Sequence, residues 1–66
     1  MPRGAELYAN AKTMYKAKTP LAARTILGRI AMRVASARFI GWPALEQSWT
    51  AELEQARAVA MERGLL

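Results

Sequence analysis

Two proline-centred signals divide this chain into helical segments. At Thr19-Pro20 a hydroxyl side chain precedes a proline, and at Gly41-Trp42-Pro43 a glycine and a proline bracket a tryptophan. Thr before Pro is the pattern of an N-cap followed by proline at the first helical position, where the missing N–H has no partner to lose. Gly before Pro ends one helix in a left-handed conformation and opens the next. A third stop follows at Arg63-Gly64-Leu65-Leu66, a glycine with an apolar residue behind it. These marks predict three helices at roughly 4–18, 20–40 and 43–63, and no segment alternates as a strand does.

A chain of 66 residues allows one small helical domain, residues 1–66, with a thin core. Folds of this size hide only about 60% of the surface their unfolded chains expose. Stability then comes from disulfides, metals, self-association or very regular helix packing. The sequence has no Cys and no His, which leaves helix packing and self-association. At 53% hydrophobic and 23% charged it has the usage of a folded domain.

The predicted N-terminal helix places Leu7, Ala11 and Met14 in one line with Tyr8 and Tyr15 beside it, an amphipathic surface helix with these residues as its apolar contribution. In the predicted C-terminal helix, Leu45, Trp49, Leu53, Ala56 and Ala60 share one stripe with Val59 at its edge. Such a helix packs against its own chain through a single face.

The predicted central helix is apolar on two sides. Ala23, Ile26, Leu27, Ile30, Val34 and Ala37 form one face, and Leu21, Gly28, Met32, Ala35 and Phe39 form the opposite one. Arg24, Arg29, Arg33 and Arg38 occupy the flanks between them. A helix apolar nearly all round is expected to be buried, its arginine stems lying along apolar surface with their heads in water. The short Gly-Trp-Pro link predicts an antiparallel hairpin of the central and C-terminal helices, with Arg38 near Glu46 and Arg29 or Arg33 near Glu52. The shorter N-terminal helix would cover part of the second face, leaving the region around Gly28, Met32 and Phe39 open. Gly28 supports an interface there, because a mid-helix glycine costs about 1 kcal/mol against alanine unless close backbone approach repays it. The expected fold is therefore all-α, a hairpin with a shorter N-terminal helix packed on it, and a homodimer through the second face or the N-terminal helix.

Charge is distributed unevenly. Residues 1–41 hold eight Lys/Arg against the single acid Glu6, and residues 42–66 hold Arg57 and Arg63 against four glutamates; net +7 and −2 make the chain's +5. A basic half beside an acidic half suits an anionic partner or packing of the halves on each other.

Catalytic chemistry has few candidates. Without His or Cys, a nucleophile would be Ser36, Ser48 or a threonine, and no Ser-x-x-Lys occurs. Glu52 and Glu54 point apart on a helix, the chain has no Asp, and its four glycines are isolated, so no acid/base pair, calcium loop or phosphate cradle is expected. The reading is a non-enzyme without a cofactor.

Two binding functions remain in view. The first is a small binding protein that inhibits or adapts another macromolecule by occupying its surface, through Tyr8, Met14, Tyr15, Leu21, Gly28, Met32 and Phe39. Small size with Ala- and Arg-rich usage is compatible with a phage or mobile-element accessory protein. The second is a DNA- or RNA-binding regulator using Lys12, Lys16, Lys18 and Arg24, whose basic groups and the nearby tyrosines suit phosphates and bases. No helix-turn-helix fits, since the helix in the recognition position is the acidic one. A membrane role is the weakest reading: no apolar run approaches the roughly 20 residues of a spanning helix, the first residues lack the apolar segment of a secretory signal, and the second apolar face removes the polar side an interfacial helix needs. The expected location is the cytoplasm.

Overall fold

The computed structural model describes residues 10–66. In chain order these form a 3₁₀ helix at Thr13–Lys16, helix α1 at Pro20–Ile40 and helix α2 at Pro43–Glu62. The helices α1 and α2 pack on each other as a hairpin, and the 3₁₀ segment touches both.

The ends of both α-helices follow from the signals in the sequence. The extended backbone of Thr19 (φ −134°, ψ 157°) is the conformation required before proline, and its hydroxyl accepts from the Ala22 N–H at 3.1 Å. Gly41 takes the left-handed conformation at φ 82°. Its N–H donates to the Arg38 carbonyl while the Trp42 N–H donates to that of Ala37 at 3.0 Å, a Schellman motif that satisfies two terminal carbonyls. The same motif closes α2. Gly64 has φ 73°, its N–H donates to the Met61 carbonyl, and the Leu65 N–H reaches that of Ala60 at 2.8 Å. Leu65 then folds back against the core, the apolar contact that accompanies such a motif.

The N-terminal segment departs from the expected helix over 4–18. Residues 4–9, with Leu7 and Tyr8, lie outside the described residues. Over 10–18 the chain makes a single 3₁₀ turn that ends where Ala17 becomes extended (ψ 134°). The reason is a reciprocal cap. Asn10 Oδ1 accepts from the N–H groups of Lys12 and Thr13, while Thr13 Oγ1 accepts from the Asn10 N–H at 2.7 Å and donates to the Asn10 carbonyl. This is a capping box with threonine in the place usually held by Glu or Gln, and it starts a turn at Asn10. Proline at 20 then forces an extended approach, so the turn has only a few residues in which to run.

The core is built mostly from alanines: Ala11, Ala17, Ala23, Ala56 and Ala60 join Met14, Ile30 and Val59, with Ile26, Leu27, Trp49 and Leu53 packed against them. Among the described residues, Met14 and Ile30 are the large side chains that are wholly buried. Small side chains let the helices and the 3₁₀ segment approach closely, and the two larger ones fill the space between.

Candidate partner-binding face

The first apolar face of α1 turns inward, and Ala23, Ile30, Val34 and Ala37 are buried on it. The second face stands open. Leu21 is 72% exposed, Met32 71% and Phe39 93%, with Gly28 and Ala35 exposed between them. The central helix is therefore buried on one side, not two. Residues 10–18 do not cover its second face; they sit on the inner cluster, where Ala11, Met14 and Ala17 meet both helices.

The open face has a regular order. Leu21, Thr25, Gly28, Met32, Ala35 and Phe39 follow one another at alternating steps of four and three, the spacing of a helix–helix seam. Eighteen residues separate its ends, about 27 Å along the axis. The Thr25 hydroxyl donates to the Leu21 carbonyl at 3.0 Å, so covering this side chain would strand no donor. Met32, Ala35, Ser36, Phe39 and Ile40 line a shallow groove at the C-terminal part of the face, and Trp42 lies exposed just beyond the helix.

The arginines of α1 divide between its borders and its neighbour. Arg38 Nε donates to Glu46 Oε2 at 2.8 Å, the pair expected from an antiparallel hairpin. Arg33 lies over the Trp49 ring, 4.9 Å from its centroid, a cation–π contact that ties α1 to α2. Glu52 accepts from the Ala11 N–H at 3.3 Å, a partner in the N-terminal segment that its sequence position does not suggest. Arg24 is exposed beside Thr25 at the start of the seam.

One residue expected at a partner or dimer interface has another position. Met14 is fully buried in the chain's own core, because the 3₁₀ turn directs it inward between the helices. Tyr8 lies outside the described residues. Tyr15, expected at an interface, is 61% exposed. Ile40 and Trp42 extend the apolar surface beyond Phe39; the same alternation of four and three, continued past the helix end, reaches Trp42.

Lys12, Lys16, Lys18 and Arg24 are all exposed. Lys12 precedes the 3₁₀ turn, Lys16 ends it, Lys18 lies on the link and Arg24 in the second turn of α1. Glu62 lies on the last turn of α2. Among the described residues no helix is long and apolar enough to cross a membrane. Comparison with protein-family models, with curated proteins and with solved structures finds no match to this chain.

Proposed function

We propose that this chain is a non-enzymatic binding module that modulates a macromolecular partner by occupying its surface with the outer face of α1. The observation that carries the reading is the exposure of Leu21, Met32 and Phe39 on one side of a helix whose other side is already packed. Contiguous apolar surface on so small a domain marks an interaction site more often than scattered single residues do. A second copy of the chain is one candidate occupant, giving the homodimer expected of a small helical fold.

The test is an apolar probe dye that brightens on exposed hydrophobic surface. The parent chain is expected to bind it, and Met32→Glu with Phe39→Glu is expected to abolish the signal while helicity is retained. Dye binding that ignores both substitutions would remove the face as the site.

A nucleic-acid regulator is the second reading, favoured by the exposure of Lys12, Lys16, Lys18 and Arg24. Titration into labelled random duplex and single-stranded DNA at low and near-physiological salt separates the two. The binding-module reading expects at most weak binding that vanishes with salt. Micromolar affinity at near-physiological salt, with a steep salt slope flattened by Lys12→Ala and Lys16→Ala, would transfer the function to the basic end.

A further inference from the structure

We propose that Met32 is a modification site, at which oxidation of the thioether by a peroxide switches off the apolar outer face of α1. This rests on the reading of that face as a binding surface, and it is indifferent to which partner covers it.

The chain has no Cys, so no thiol competes for an oxidant and four methionines carry all its sulfur. The fold sorts the three of them that lie among the described residues. Met14 is fully buried in the core, whereas Met32 is 71% and Met61 63% exposed. Exposure decides which thioether meets an oxidant first, so Met32 and Met61 are the reactive pair.

Of this pair, Met32 belongs to the row on the outer face, and Met61 lies on the last turn of α2. Met32 stands eleven residues after Leu21 and seven before Phe39, between the two other large apolar side chains of the row. It also lines both shallow grooves on this side, one with Ala35, Phe39 and Ile40 and the other with Arg29 and Arg33. A polar group placed here interrupts the apolar row between its ends.

In the step itself, a lone pair of Met32 Sδ attacks one oxygen of the peroxide. An S–O bond forms as the O–O bond breaks, and the departing hydroxide takes the proton of the new S–OH to leave as water. Sulfur is oxidised by two electrons and the peroxide is reduced by two. The product replaces a flexible apolar side chain with a polar one. Covering its oxygen without a hydrogen bond is costly to any apolar partner, while the folded chain loses no core packing.

The experiment treats the folded chain with hydrogen peroxide, removes the peroxide, and maps oxidation at each methionine by peptide mass spectrometry. Met32 and Met61 are expected to oxidise at least about tenfold faster than Met14. The oxidised chain is expected to keep its helicity and to lose about half or more of its apolar-dye signal. Met32→Leu, which keeps an apolar side chain of similar helix propensity, is expected to bind dye as the parent does and to be unchanged by peroxide. Met61→Leu is expected to respond like the parent. Four results would each overturn the switch and leave the face as a binding surface: Met32 reacting no faster than Met14, an undiminished signal at full Met32 oxidation, equal loss in Met32→Leu, or a loss that methionine sulfoxide reductases do not reverse. An untreated parent that binds no dye would remove the binding-face reading, and the switch with it.

Discussion

The Arg63 guanidinium donates to the backbone carbonyl of Met14, 49 residues earlier in the chain. With Glu52 accepting from the Ala11 N–H, it ties residues 11–14 to α2 and to the residue that caps it. A single turn leaves most of its backbone groups without helical partners, and two charged side chains, Glu52 of α2 and Arg63 just after it, each meet one such group of this segment. At the second of these contacts the Met14 side chain enters the core. Residues 10–18 are thus held by the buried side chains of Ala11, Met14 and Ala17 together with these polar contacts, and they leave the outer face of α1 uncovered.

Met14→Ala should cost about 2–4 kcal/mol, since it removes one of the two large buried side chains from a core of alanines that has little capacity to collapse. Urea unfolding followed by circular dichroism measures it. A loss below about 1 kcal/mol would mean that the segment contributes little packing.

Glu52→Ala and Arg63→Ala should each destabilise the chain by about 1 kcal/mol. Hydrogen exchange should also become faster at the Ala11 amide in the Glu52 variant, before any change at the centre of α1. Unchanged exchange at Ala11 would show that the Glu52 contact does not hold this end.

These contacts also mark where sequence reasoning stops. Thr19-Pro20, Gly41 and Gly64 act through residues within a few positions of themselves, so the ends of α1 and α2 could be read directly, and the hairpin then brought Arg38 to Glu46. The two-faced pattern of α1 was equally plain, but which face would be covered depended on where the N-terminal segment docked. That docking rests on Arg63 and Glu52 reaching across more than 40 residues, which no local pattern encodes. The Asn10–Thr13 cap was a local signal, hidden because threonine stands in for the usual Glu or Gln.

Glycine substitutions should separate by sign. Gly64→Ala forces a side chain into a left-handed backbone and should cost about 1 kcal/mol. Gly28→Ala meets nothing and should stabilise the isolated chain by about 0.5–1 kcal/mol. Thermal unfolding of both variants checks this. Destabilisation by Gly28→Ala would indicate a neighbour packed on the outer face in the free protein.

The Arg38–Glu46 pair sets the register of the hairpin more than it stabilises it. Its arginine side chain is largely exposed, so a double-mutant cycle with Arg38→Ala and Glu46→Ala should give a coupling of about 0–1 kcal/mol that declines with salt. A coupling above about 2 kcal/mol, insensitive to salt, would require a desolvated pair.

The central claim is that the outer face of α1 stands uncovered on the folded chain, ready for a partner. The most direct test is urea unfolding of Phe39→Glu beside the parent at low micromolar concentration. Phe39 is 93% exposed, so the predicted midpoint lies within about 0.5 kcal/mol of the parent, with helicity unchanged. Loss of several kcal/mol or of cooperative unfolding would mean that this face is buried in the free protein, and would contradict the account.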